Sequence, residues 1–194
     1  MASFFDRLGC YLLDVLLIFA ISSVISVFIP NKGNDINKEI TTLTEKYTNG
    51  EVGSETFINE YQDLMYKYQK ENYLSTVISV GLNFIYFVVF AYFNKGQTIA
   101  KKLMNIKVVD NRTEERPKFW QMLVRNVFIY SLLSNIIILI LLFTSKNNFI
   151  YYYMLVGGFD LMFVMITVMF VLYRKDKRGL HDMMACTKVV KESV

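Results

Sequence analysis

The sequence has 194 residues, of which 54% are hydrophobic and 15% aromatic, and its formal net charge is +4 at pH 7. This apolar content exceeds that of a typical soluble domain, and the apolar residues form long runs, so the composition argues against a water-soluble fold. The excess basic residues lie in segments that flank these apolar runs, as expected from membrane topology. Nucleic-acid binding is therefore not needed to explain the positive net charge.

Four apolar segments are long enough to cross a bilayer as helices. A hydrocarbon core of roughly 30 Å needs about 20 apolar residues in helical conformation. A buried helix of a soluble protein would keep a polar stripe on one face, and none of the four segments has a sustained one. We therefore predict an all-α membrane protein with four transmembrane helices, at residues 8–29, 74–93, 119–143 and 149–173.

The segments that connect these spans differ in the sign of their charge. Residues 94–118 carry seven basic and three acidic side chains, a net charge of +4, and the tail 174–194 carries six and three, a net charge of +3. Residues 30–73 carry five lysines and eight acids, a net charge of −3. Because basic segments stay on the cytoplasmic side during insertion, we predict an external loop at 30–73 and both termini in the cytoplasm.

The external loop shows two sets of apolar residues at helical spacing. A break at Asn49-Gly50 separates them and is a plausible turn. The loop therefore predicts an extracellular helical hairpin. Its apolar stripes either pack on each other or lie on the membrane surface or on a partner protein. The two sets are Ile36, Ile40, Leu43 and Tyr47, then Phe57, Tyr61, Leu64 and Tyr68.

The cytoplasmic loop and the tail share a pattern. Residues 96–103 favour a short helix that leads into a strand-like run at 106–109, and residues 179–184 lead into a similar run at 187–190. Each pattern follows a helix that runs from outside to inside. The match indicates either a weak parallel repeat with a pseudo-twofold axis along the membrane normal or a coincidence in short stretches rich in lysine and valine.

Three of the spans contain a charged residue, which costs several kcal/mol at the bilayer centre unless it is paired or hydrated. Asp14 and Arg125 lie at a similar predicted depth and could form an ion pair, whereas Asp160 lies near mid-membrane without an obvious basic partner. In a structural interpretation, the ion pair fixes helix packing and Asp160 hydrogen-bonds to Asn83 or Asn135. In a functional interpretation, Asp14 and Asp160 carry cations or protons across the membrane.

The tail places the single histidine, His181, beside Asp182. This pair either handles protons near the cytoplasmic mouth or is structural, with Asp182 meeting Arg7 at the membrane interface. The sequence has no nucleophile motif, metal-ligand cluster or phosphate-binding glycine loop, so we predict no enzymatic activity, cofactor or metal site.

These residues also carry a resemblance to a known family. Arg7 and Asp14 bound the run RLGCYLLD, and Asp182 ends the run RGLHD. Together with GQT at 96–98 and KVVD at 107–110, they make the chain similar to the RDD family of bacterial integral membrane proteins, named for one arginine and two aspartates. The resemblance implies a multi-pass protein of the bacterial cytoplasmic membrane. The chain departs from the family pattern at Ala100 and Asn105, where glycine is usual.

Two functions of different class fit the sequence. The first is a small transporter or channel that moves a cation coupled to protons. Because four helices enclose little space, we expect such a transporter to be a homo-oligomer. The second is a non-transporting accessory protein that binds a partner membrane protein, other partner proteins or anionic membrane lipids.

Overall fold

The computed structural model describes residues 1–29 and 33–192 and is mostly helical. In chain order the elements are α1 Phe4–Ser26, α2 Gly33–Thr48, α3 Ser54–Glu71, α4 Tyr73–Phe84, a π-helical segment Ile85–Phe90, α5 Ala91–Phe93, α6 Ile99–Leu103, β1 Ile106–Asp110, α7 Phe119–Ile129, α8 Leu132–Thr144, α9 Phe149–Tyr173, α10 Leu180–Met184 and β2 Thr187–Lys191.

Three helical runs are long and apolar enough to cross a membrane: α1, the continuous run Tyr73–Phe93 and α9. The pair α7 and α8 makes a fourth if the two helices form one bent span. The predicted spans at 74–93 and 149–173 agree with the observed helices to within one residue. The first span starts earlier than predicted, at Phe4, because Ser3 and Asp6 form a capping box that satisfies two free N–H groups.

The third span differs from the prediction. A continuous helix at 119–143 is wrong, since α7 and α8 meet at a bend of 66°. Ser131 lies between them in the left-handed region, with φ of 52°, where an α-helix of L-residues cannot continue. The Asn126 amide donates to the Phe87 carbonyl at 2.6 Å, and the Tyr130 ring stacks on the Phe87 ring. The break therefore packs against the π-helical segment of the neighbouring span, an arrangement that apolarity alone does not encode.

The hairpin of α2 and α3 stands at one end of the spans. Gly50 occupies the turn with φ of 74°, and Tyr47 stacks on Phe57 with ring centroids 4.3 Å apart. Of the two predicted alternatives, the structure has the apolar stripes packed on each other. Tyr66 also donates to the Leu142 carbonyl of α8 at 3.1 Å, which holds the hairpin against the spans. Residues 30–32 of the predicted external loop lie outside the described part of the chain.

A two-stranded antiparallel sheet of β1 and β2 stands at the opposite end, which we call the sheet end. Val108 pairs with Val189 at its centre. Each strand is directly preceded by a residue in the left-handed region, Asn105 before β1 and Cys186 before β2. Each strand follows a short helix, α6 or α10, that itself follows a span. This symmetric pairing supports an internal repeat over coincidence.

Candidate functional site

Asp182 lies at the centre of a polar cluster buried at the sheet end. Its side chain has no exposed surface. The Arg7 guanidinium of α1 donates to one carboxylate oxygen at 2.8 Å, and the Arg125 guanidinium of α7 pairs with the other. The Gly179 N–H donates at 3.2 Å and the Thr187 hydroxyl at 3.4 Å. The expected contact between Asp182 and Arg7 is therefore present, and it joins the first span to the tail.

The predicted ion pair between Asp14 and Arg125 is not formed. Arg125 reaches Asp182 instead, and its Nη1 also lies 3.3 Å from the Thr187 hydroxyl. The prediction compared only the depth of the two residues along their helices. The rotation of α7 about its axis, which depth does not determine, turns Arg125 toward α10.

Asp14 is buried and is bound by hydroxyl groups. Tyr86 of the π-helical segment donates to Oδ1 at 2.5 Å, and Thr98 donates to Oδ2 at 2.5 Å. The Ala100 N–H of α6 donates to Oδ1 at 3.3 Å, and Thr98 also caps the start of α6. Asp14 thus ties α1 to two other elements. Sequence reasoning missed Tyr86 and Thr98, although a threonine directly before a short helix is a recognisable N-cap signal.

Asp160 is half-buried near the middle of α9. It accepts a hydrogen bond from the Ser134 hydroxyl, in the first turn of α8, at 2.5 Å. Neither Asn83 nor Asn135 is its partner, and the Asn135 amide donates to the Ser131 carbonyl instead. Within residues 1–29 and 33–192, Asp160 has no basic ion-pair partner.

A cavity of about 190 Å³ lies beside the Asp182 cluster, between α1, α6, α7, α9 and α10. Its polar lining includes Arg7, Lys101, Arg125, Thr167 and His181, and the rest of its lining is mainly apolar. Several polar atoms here are buried and have no hydrogen-bond partner among the residues that the structure describes: Arg7 Nε and Nη2, Arg125 Nε, Thr167 Oγ1 and His181 Nδ1. Buried polar groups are usually satisfied, so this concentration of unpaired atoms marks the cavity as unusual.

The cluster is electrostatically positive. Burial, followed by repulsion from Arg125, lowers the pKa of Lys101 to about 8. Burial and the positive charges of Arg125, Arg7 and Lys101 hold the pKa of His181 well below its ordinary value. His181 is therefore neutral at pH 7, and its Nε2 lies 3.6 Å from Asp182, too far for a hydrogen bond. This geometry favours the structural interpretation of the histidine and aspartate pair.

The part of the chain that the structure describes has no group of three or more histidine, cysteine, aspartate or glutamate residues arranged to hold a metal ion. Its two cysteines are free, Cys10 buried and Cys186 exposed.

The model of the RDD family matches residues 1–186, nearly the whole chain. No curated protein and no solved structure matches the chain.

Proposed function

The chain belongs to the RDD family, and from this premise we propose that it exchanges a cation for protons across the membrane, with the Asp160 carboxylate as the carrier. The observation that carries the proposal is the position of Asp160 near the middle of a 25-residue apolar helix. Among the described residues, its one hydrogen-bond partner is Ser134, one turn after the break in the neighbouring span. Ionisable residues inside a membrane are rare and usually mark ion pathways.

The broken span supports the same assignment. Transporters often form mid-membrane ion sites where a helix is interrupted, because the interruption frees backbone polar groups inside the protein. Here Ser131 interrupts the span and Ser134, one turn later, contacts Asp160. The start of α8 also has a partial positive charge that stabilises a carboxylate. A π-helical segment, a feature frequent at functional sites, packs against the break.

In this proposal Asp14 is an anchor and not a carrier, because three donors occupy its carboxylate within the fold. The exchange requires no cofactor and no catalytic step. Four helices enclose little space, so we propose that the transporting unit is a homo-oligomer in the bacterial cytoplasmic membrane, with both termini in the cytoplasm.

The test is flux in liposomes. Purified protein is reconstituted, and proton and sodium or potassium flux is recorded for the wild type, for Asp160→Asn and for Asp63→Asn on the exposed face of α3 as a matched control. Loss of flux in Asp160→Asn alone, with unchanged thermal unfolding, supports the proposal. A well-folded wild type that carries no flux under any of these gradients would contradict it.

A second candidate is a non-transporting accessory protein. The hairpin of α2 and α3 favours it, because α3 has no fully buried residue and the segment 30–73 is acidic. In that role the hairpin binds a partner membrane protein, and the basic opposite face contacts anionic lipids. Crosslinking from exposed hairpin positions in intact cells distinguishes the accessory role from transport. An accessory protein should give one specific crosslinked partner. Reversing the charges of the acidic hairpin residues should abolish that crosslink.

A further inference from the structure

We propose that the cavity at the sheet end binds the phosphate group of an anionic membrane lipid. This proposal does not depend on cation transport. It concerns a built site with defined donors, rather than general attraction of a basic surface to the membrane.

The first argument is the position of the unpaired donors. In residues 1–29 and 33–192, every buried side-chain nitrogen or oxygen that lacks a hydrogen-bond partner belongs to one of four residues, and all four line this cavity. Leaving a buried polar group unsatisfied costs about 1–3 kcal/mol, and more for a charged group. A ligand that accepts hydrogen bonds would remove this cost. The four residues are Arg7, Arg125, Thr167 and His181.

The second argument is charge. Arg7 and Arg125 share a single carboxylate, that of Asp182. Lys101 is buried beside them and has no ion-pair partner among the described residues. The nearby carboxylate of Asp14 is already occupied by two hydroxyls and an N–H. The cluster therefore has excess positive charge, which an anion would balance.

The donor types favour a phosphate. Guanidinium groups present several N–H donors in a planar fork that matches the oxygens of a phosphate. The free Nε and Nη2 of Arg7 form one such edge, and the Nε of Arg125 is a further free donor. An ammonium group such as that of Lys101 adds a point charge. A cation would be repelled by the same three side chains.

The shape of the cavity favours a lipid over a free ion. Most of the lining is apolar, and the lining side chains that are exposed, Leu8, Tyr11 and Val168, all lie on the membrane spans α1 and α9. The cavity therefore opens toward the bilayer. Its volume of about 190 Å³ holds a headgroup phosphate but not a whole lipid. The acyl chains would leave between α1 and α9, and Arg7 in the first turn of α1 lies where lipid headgroups are found.

The experiment measures lipid-dependent thermal unfolding of the intact protein in detergent micelles. Phosphatidylglycerol, phosphatidylcholine and inorganic phosphate are titrated separately. A ligand that binds only the folded state raises the unfolding temperature as its concentration increases. We expect saturable stabilisation by phosphatidylglycerol and little by the zwitterionic lipid. Equal stabilisation by both lipids would overturn the proposal. Full stabilisation by inorganic phosphate alone would overturn the assignment to a lipid.

Variants must leave the Asp182 ion pairs intact, because loss of Arg7 or Arg125 can prevent folding. Lys101→Met removes the unpaired cation, and we expect the apparent affinity for phosphatidylglycerol to fall about tenfold while the lipid-free protein unfolds at a higher temperature.

Val164→Phe fills the cavity without touching a charged group and should abolish the stabilisation by phosphatidylglycerol. Its matched control, Met165→Phe, changes the adjacent residue of α9, which is exposed and outside the cavity lining. If Lys101→Met and Val164→Phe both respond to the lipid as the wild type does, the site is not this cavity.

Discussion

The guanidinium of Arg7 and the carboxylate of Asp182 are 175 residues apart in the chain and 2.8 Å apart in the structure. The contact closes the polypeptide at the sheet end, since it connects the first turn of α1 to α10 in the tail. Arg125 of α7 pairs with the same carboxylate, so one acidic residue holds three separate elements together.

Asp182→Asn should strongly destabilise the protein. The substitution leaves two buried guanidinium groups without a counter-charge, and breaking a buried ion pair costs about 3–5 kcal/mol. Thermal and denaturant unfolding in detergent measure the change. The matched control is Asp176→Asn, because Asp176 pairs with Arg174 near the surface and should contribute about 1 kcal/mol or less. Equal losses in the two variants would contradict the role assigned to Asp182.

Asp14→Asn should lower stability without abolishing cation flux. The amide cannot accept hydrogen bonds from all three donors as the carboxylate does, and leaving part of this buried network unsatisfied costs about 1–3 kcal/mol. Thr98→Val removes one of the same bonds and should lower the unfolding temperature in the same direction. Flux that disappears in a folded Asp14→Asn protein would show that Asp14 is a carrier.

Gly96→Ala should destabilise the sheet end. Gly96 has φ of 86°, which L side chains rarely adopt, and an added Cβ would collide with the Val108 carbonyl oxygen. We expect a loss of more than about 1 kcal/mol, measured by denaturant unfolding. Gly53→Ala is the matched control, because Gly53 has ordinary extended dihedrals and free space around its Cα. If Gly96→Ala leaves the free energy of unfolding unchanged, the backbone at this position can relax without cost.

Acid should destabilise the protein partly through His181. The groups that face it are the cations Arg7, Lys101 and Arg125 from three other elements and Asp182 on its own helix. Burial and these cations keep its pKa well below 6.5. Below about pH 6.5 the unfolded chain therefore binds a proton that the folded protein does not, and the free energy of unfolding falls as the pH falls.

The single histidine makes this pH dependence directly measurable. Histidine-labelled NMR spectra should show a neutral imidazole at pH 6, and His181→Gln should flatten the dependence of the unfolding temperature on pH between about 7 and 5. An imidazole that titrates near 6.5 in the folded protein would contradict the prediction.

The topology can be tested with the native thiols. A membrane-impermeant maleimide should label the exposed Cys186 in inside-out vesicles and not in spheroplasts, because we expect the sheet end to face the cytoplasm. The buried Cys10 should stay unlabelled in both. Asn59→Cys on α3, in a Cys186→Ser background, should show the reverse pattern. Labelling of both positions from the same side would refute the arrangement.

The bounds of two of the long helices were predictable from the sequence, because their signal is local. An uninterrupted apolar run leaves few alternatives to a membrane helix, so the span 149–173 agrees with α9 at both ends. The helical hairpin and its turn at Gly50 were predictable for the same reason. The helical spacing of apolar residues and the preference of glycine for a turn both depend on residues that are close together in the sequence. The family resemblance singled out Arg7 and Asp182, and the structure places their side chains in contact.

The break at Ser131 and the partners of the buried charges depend on how the helices pack. An apolar run is compatible with one straight helix or with two that meet at 66°, and the contact with Phe87 that accompanies the break lies on another span. Arg125 pairs with Asp182 and not with Asp14 because helix rotation sets which side chains meet, whereas the sequence gives only their depth. The cavity is likewise a property of packing, since its unpaired donors come from α1, α7, α9 and α10, which only the folded chain brings together.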